Sequence, residues 1–234
     1  MSSVFAAFIR HGDYHQLPEV PSAHQPFPLN AEGETQADAG GRKLVRLIRE
    51  RAWNLEPEID ASKMQRAWQT AHRIAEVLRE EDMGDLHISC FDALAERCVG
   101  AAANLTVGRI EEIVRQDPRY PAPPPGWKSD SRYRLPMQGA ESLIQAGERV
   151  ALHVERRMAE LASEGDGPRL KLFVGHGAAF RHAAFHLGIL GLDQVAALSM
   201  FHGESVVFER LGERRWRHVA GEWKQRTPKD RALD

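Results

Sequence analysis

Two largely apolar runs, each ending on a histidine beside glycine, constrain this chain more than any other feature. Val4-Phe5-Ala6-Ala7-Phe8-Ile9 leads into Arg10-His11-Gly12, and Leu170-Lys171-Leu172-Phe173-Val174 leads into Gly175-His176-Gly177. Short apolar runs bounded by glycine predict strands buried on both faces. Such strands belong to parallel sheets covered by helices. Ligands of these sheets gather beyond the carboxyl ends of the strands, so His11 and His176 stand where chemistry is expected.

The rest of the chain alternates in the same sense. A strand is expected over 3–9, and a loop over 13–30, where Pro18, Pro21, Pro26 and Pro28 interrupt any regular structure. Glu32 to Ala52 reads as a helix with Ala37, Leu44, Val45, Leu47 and Ile48 on its apolar stripe and Asn30 as its N-cap. A weak strand is expected at 57–61. Ser62 then caps a helix carrying Ala67, Ala71, Ile74, Ala75 and Leu78. A third strand at 87–91, a short helix at 107–116 and a long amphipathic helix from Glu141 to Glu164 follow. After His176 a helix from Ala178 to Leu190 is expected, then late strands at 205–209 and 216–220 that form a hairpin at the sheet edge. Strands alternating with helices predict a three-layer α/β/α fold on a mostly parallel central sheet. Residues 1–234 read as a single domain without internal repeats.

Composition removes several function classes. A formal net charge of −2 gives no reason to expect nucleic acid or an anionic membrane as partner. No apolar run is long enough to span a bilayer, and no signal peptide is expected at the N-terminus. Cys90 and Cys98 are too few for a disulfide framework. They are expected as small buried residues in a reduced, cytoplasmic setting.

The segment 117–136 differs in character. Pro118, Pro121, Pro123, Pro124, Pro125 and Pro136 alternate with Tyr120, Trp127, Lys128, Arg132, Tyr133 and Arg134. A long loop of this kind within a domain predicts a functional cover. Lys128, Arg132 and Arg134 are candidates to meet an anionic group of a substrate, and Trp127 or Tyr133 to stack on a ring.

Arg10-His11, Arg66, Glu96 and His176 all fall at ends of strands or starts of helices, and together they suit phosphoryl transfer. Phosphate-monoester hydrolysis needs on the order of 20 kcal/mol of barrier reduction. A histidine nucleophile splits the displacement into two easier steps. Arginines neutralise the equatorial oxygens, and a carboxylic acid protonates the leaving oxygen and later activates water. These roles are filled without a metal, and no cofactor is expected.

Phe8-Ile9-Arg10-His11-Gly12-Asp13 resembles the signature of the histidine phosphatase superfamily, which includes the cofactor-dependent phosphoglycerate mutases. Pro28 to Ala37 is similar to the family's segment opening the first helix, and Ser62 to Ala71 to its second arginine motif. Ala95-Glu96-Arg97 with Gly100 resembles the acid-bearing motif, and Phe173 to Gly177 the second histidine motif. The blocks occur in the family's order. The resemblance implies a phosphoglycerate mutase-like fold. It also implies His11 as the residue that becomes phosphohistidine, Arg10, Arg66 and His176 as the phosphate pocket, and Glu96 as proton donor.

Within that family the chain departs from the mutases. Asp13 stands where many relatives carry Glu, Leu17 and its neighbours lack the mutases' Trp-Asn, and Glu96-Arg97-Cys98-Val99-Gly100 replaces their acid followed by His-Tyr-Gly. Tyr120 to Pro125 and Ala140-Glu141-Ser142-Leu143 remain similar to mutase segments. The leading expectation is a phosphatase acting on a phosphorylated small molecule or phosphoprotein. The alternatives are a mutase-like phosphotransferase and a non-catalytic phospho-ligand binder, which would have no need of Glu96. His182 and His186, at i and i+4, are read as packing or hydrogen-bonding residues. His15, His24 and His202 are possible pocket residues, and the late strands offer an edge for a homo-oligomer.

Overall fold

Strand β1 (Val4–Arg10) is apolar on both faces because helices cover both. Phe5, Ala7 and Ile9 point into one buried cluster and Val4, Ala6 and Phe8 into another. The computed structural model describes residues 3–21, 24–163 and 167–227. The first cluster is completed by helix α1 (Ala31–Arg51) through Leu44, Val45 and Ile48, and by helix α2 (Gln65–Glu80) through Ala67, Ala71 and Ile74. On the other face lie α4 (Leu143–Ser163) and α5 (Gly177–His186), which contribute Val150, Val154, Met158, Phe180 and Ala183. The Phe8 and Phe180 rings stack with their centroids 4.7 Å apart. Burying one such ring contributes about 1.5–3 kcal/mol.

Among the described residues the central sheet has seven strands. Besides β1 these are β2 (Asn54–Leu55), β3 (Glu58–Ser62), β4 (His87–Phe91), β5 (Arg169–Gly175), β7 (Ser205–Gly212) and β8 (Arg215–Ala220). The order is β4-β3-β5-β1-β7-β8, with β2 also pairing β5. β4, β3, β5 and β1 are parallel, whereas β7 and β8 are antiparallel and form the expected edge hairpin. A second sheet joins β6 (Leu198–Ser199) to β9 (Lys224–Gln225). Short helices α3 (Val107–Gln116) and α6 (Leu192–Ala197) complete the set. No helix among the described residues is long and apolar enough to cross a membrane.

Asn30 caps α1 as expected, its side chain accepting from Gly33 N–H at 2.8 Å. Ser62 does not cap α2: Met64 occupies the cap position, and Ser62 is the last residue of β3. The helix expected to reach Leu190 stops at His186, because the chain turns at Gly188 with φ +74°. The helix expected over 141–164 begins at Leu143, and Glu164 lies outside the described residues. Cys90 is exposed and Cys98 half-buried, so neither is the buried apolar residue expected. Cys90 lies on β4, whose other side is a sheet edge.

Segment 117–136 is irregular apart from one 3-10 turn at Trp127–Ser129. It is nonetheless anchored, since Trp127 and Leu135 pack with Val99, Ala102, Ile110, Val114 and Ala140 in a small separate cluster. Trp127 is only 2% exposed, and its Nε1 donates to Glu111 at 3.2 Å. The indole is therefore part of a core and not a platform for a ligand.

Midway along β3, in register with Phe173 of β5, Asp60 is fully buried among His153 (2.8 Å), Lys171 (2.7 Å) and Arg157 (3.0 Å). Burial alone would raise its carboxyl pKa, but these donors and cations outweigh it and hold the group ionised.

Candidate active site

Parallel pairing brings the two histidine-bearing strand ends together. Arg10 at the end of β1 lies opposite Gly175 at the end of β5, and His11 N–H donates to the Gly175 carbonyl at 2.9 Å. On the other flank Gly203 N–H donates to the Arg10 carbonyl, also at 2.9 Å. Main chain on both sides thus holds the backbone of the nucleophile candidate. Gly12 follows because a Cβ there would fall 2.3 Å from the Gly33 carbonyl oxygen, where the first turn of α1 crosses.

His11 is buried, and its Nδ1 lies 2.7 Å from the Gly12 carbonyl oxygen. A carbonyl only accepts, so Nδ1 carries the proton and Nε2 keeps its lone pair. Arg66 confirms this assignment by donating its Nε–H to Nε2 at 3.2 Å. Arg66 itself is 1% exposed, in the first turn of α2 just past β3. Its Nη1 donates to the Gln25 carbonyl at 2.7 Å and its Nη2 to Nδ1 of His176 at 3.3 Å. The proton of His176 then sits on Nε2, 3.0 Å from Ser62 Oγ. One guanidinium joins both imidazoles, whose centroids are 5.0 Å apart.

Thr70, one turn after Arg66, ties the pieces: its hydroxyl donates to the Arg66 carbonyl at 2.7 Å and accepts from Gly12 N–H at 3.0 Å. Arg10 donates from Nη1 to the Met200 carbonyl at 3.0 Å. Burial, then Arg66, His176, Arg10 and His202, push the His11 pKa well below its ordinary value. For His176 the causes are burial, Arg66, His24, Arg10 and Arg149. Both imidazoles are consequently neutral near pH 7 in the ligand-free pocket.

Glu96 is buried beyond the 3-10 turn Asp92–Leu94 that follows β4. Its Oε1 accepts from Arg97 N–H at 2.8 Å. Its charge acts on Tyr14 and Arg66, favouring the protonated form of each. Arg97 is also buried and donates to the Lys128 carbonyl at 3.0 Å. Lys128 thereby borders the Glu96 loop, whereas Arg132 and Arg134 are exposed. Tyr133 is half-buried, 6.0 Å from the Trp127 ring.

Of the loop histidines, His202 stacks near His11 at 5.9 Å, His24 acts electrostatically on His176, and His15 is exposed. His182 bonds Ala178 and Ser131, and His186 bonds Ile144, in keeping with structural roles. Tyr14 and Ser62 were not singled out for the site. Tyr14 is buried, edge-on to His11 at 5.4 Å, with the Arg66 guanidinium 4.4 Å from its ring centroid. Burial holds its phenol protonated above the usual range. Ser62 could have been found by the strand-end rule; Tyr14 carries no sequence signal of its own.

A profile of the histidine phosphatase superfamily (branch 1) matches residues 6–224. A 2,3-bisphosphoglycerate-dependent phosphoglycerate mutase of Parvibaculum lavamentivorans is 30% identical over 148 residues, 63% of this chain and 64% of that relative. The matched part thus spans about two thirds or slightly less of the curated relative's length. Among solved structures, mycobacterial glucosyl-3-phosphoglycerate phosphatase superposes with TM-score 0.68 at 20% identity, covering 92% of this chain and 97% of the other. A putative alpha-ribazole-5'-P phosphatase of Escherichia coli gives TM-score 0.65 at 17% identity, covering 100% and 99%. These two likenesses establish the fold. With the family profile running from strand β1 to strand β9, the chain belongs to the histidine phosphatase superfamily.

Proposed function

We propose that this chain is a metal-independent phosphomonoesterase that works through a phosphohistidine on His11. The observation that carries the reading is a buried imidazole with its proton on Nδ1, whose Nε2 accepts from the same Arg66 guanidinium that reaches His176. As an ester enters, Arg66 moves its donors from Nε2 to the phosphoryl oxygens, joined by Arg10 and His176. Nε2 attacks phosphorus, the N–P bond forms as the P–O ester bond breaks, and Glu96 gives its proton to the departing oxygen. Glu96 then takes a proton from water, whose oxygen attacks phosphorus; the N–P bond breaks and orthophosphate leaves. A bound dianion favours the protonated form of His176, which strengthens the grip during both steps.

Lys128, Arg132 and Arg134, with the 117–136 segment as cover, are assigned to an anionic group of the substrate beyond the scissile phosphate. The substrate is a phosphorylated small molecule or phosphoprotein, in a cytoplasmic setting. Mutase-like phosphotransfer is the second reading, favoured by the identity to the Parvibaculum mutase. Incubation with a labelled phosphate ester followed by rapid quench should leave about one acid-labile phosphoryl group per chain, absent in His11→Ala. Orthophosphate should be released from 4-nitrophenyl phosphate without added bisphosphoglycerate. Turnover that persists in His11→Ala would refute the nucleophile, and turnover only with 2,3-bisphosphoglycerate would select the second reading.

A further inference from the structure

The proton-donor candidate Glu96 does not sit on the sheet. It lies on the loop between the Asp92–Leu94 turn and Cys98, and among the described residues its carboxylate takes one hydrogen bond, from Arg97 N–H. Its accuracy is therefore that of the loop. The loop in turn is gripped from α4. Arg149, in the second turn of that helix, donates from Nη1 to the carbonyls of Asp92 (3.2 Å), Ala93 (2.9 Å) and Ala95 (3.1 Å), with Nη2 3.5 Å from the Glu96 carbonyl.

Glu141 locks the guanidinium from behind, accepting Nε–H at 2.9 Å on Oε1 and Nη2–H at 2.8 Å on Oε2. The same carboxylate accepts Cys98 N–H at 3.0 Å, and Glu141 N–H donates to the Cys98 carbonyl at 2.7 Å. The loop is thus held at its start and middle by Arg149 and at its end by Glu141. A planar five-donor fork is the side chain suited to several carbonyls at once; a lysine cannot reproduce it.

We propose that Arg149 and Glu141 are positioning residues for general-acid catalysis, setting the reach of Glu96 to the ester oxygen. The inference rests on the phosphatase reading of the site. Among the described residues neither side chain bonds Arg10, His11, Arg66 or His176, so their loss should fall on the proton-transfer step. A misplacement of about 1 Å in a reacting group can cost about a hundredfold. An activated aryl leaving group needs no proton and escapes that loss.

The test compares kcat/KM for an alkyl phosphate and for 4-nitrophenyl phosphate in Arg149→Met, Arg149→Lys and Glu141→Gln. Arg149→Met should lose about 30-fold on the alkyl ester and less than about threefold on the aryl ester. Arg149→Lys and Glu141→Gln should show the same split in weaker form, which keeps the test open should Arg149→Met fold poorly. Equal losses on the two esters, or no loss on the alkyl ester, would overturn the proposal while leaving the phosphatase reading intact. A wild-type chain inert to all esters would instead overturn that reading. The positioning then still has its own readout: hydrogen exchange at Glu96–Cys98 should quicken in Arg149→Lys while α4 stays protected, and unchanged exchange there would reject it.

Discussion

Two imidazoles buried in the neutral form make this protein sensitive to mild acid in a way that can be calculated. The ordinary histidine pKa is about 6.5, and both His11 and His176 lie well below it in the folded chain, burial being the largest cause and Arg66 the next. Between pH 6.5 and those lowered values the unfolded chain binds two protons that the folded chain refuses. The stability the two groups contribute is complete above pH 6.5 and is lost as pH falls below it. At pH 5.5 each unfolded imidazole is protonated about ten to one, so a group that stays neutral in the folded chain costs on the order of 1 kcal/mol. The pair therefore costs at most about 2–3 kcal/mol relative to pH 8. Urea unfolding of the wild type and of His11→Asn/His176→Asn at both pH values isolates this contribution, because carboxylates and the other histidines cancel in the difference. The double variant should lose less stability than the wild type on acidification, by up to about 2–3 kcal/mol. Equal losses would refute the assignment of neutral imidazoles. Saturating phosphate, which favours a protonated His176, should shrink the wild-type loss.

Gly40→Ala sets helix propensity against packing in α1. The exchange would ordinarily gain about 1 kcal/mol, but a Cβ here falls 1.8 Å from the Gly203 carbonyl oxygen. Overpacking of about 1–3 kcal/mol or more should win, so thermal melting should drop, while Gly108→Ala, with open space around it, should hold or rise. A Gly40→Ala variant melting at or above wild type would contradict the close approach. Asp60→Ala strands Lys171, Arg157 and His153 without their shared carboxylate and should cost about 3–5 kcal/mol in urea unfolding; a loss below about 1 kcal/mol would show that water replaces it. Tyr14→Phe keeps the ring against Arg66 and should change phosphate affinity by less than about threefold, whereas Tyr14→Ala should weaken it about tenfold by calorimetric titration. Equal losses in both would move the role from ring to hydroxyl.

The strands and helices were legible wherever burial wrote itself into pattern. β1 and β5 were readable because helices cover both of their faces, and α1 because Asn30 and its apolar stripe agree. The end of α5 was not, since Leu187 and Leu190 remain buried after the helix has stopped and so extend its pattern falsely. At the site, the motif-bearing residues Arg10, His11, Arg66 and His176 are brought together, and the charge of Glu96 acts on Arg66. Trp127 was misread because a buried aromatic and a ligand platform look alike in a proline-rich segment. Ser62 was misread because a serine before a helix signals a cap equally well. Tyr14 and the Glu141–Arg149 pair depend on tertiary contact over long separations, for which local pattern has no marker.

The main-chain bonds flanking Arg10 and His11 separate two kinds of mutational tolerance in this fold. Gly175 and Gly203 hold the backbone of Arg10 and His11 through peptide groups, and a Cβ would fall 2.9 Å from Phe180 at Gly175 and 2.5 Å from the Gln36 carbonyl oxygen at Gly203. The small cluster around Trp127, by contrast, meets the Glu96 loop through the Arg97 side chain and is separate from the central sheet's two cores. Drift in residues 99–140 can therefore reshape what approaches the pocket without disturbing the imidazole within it. A saturation-mutagenesis map of this chain should divide along that line, with intolerance concentrated at strand ends and variation in ligand preference concentrated in the appended cluster.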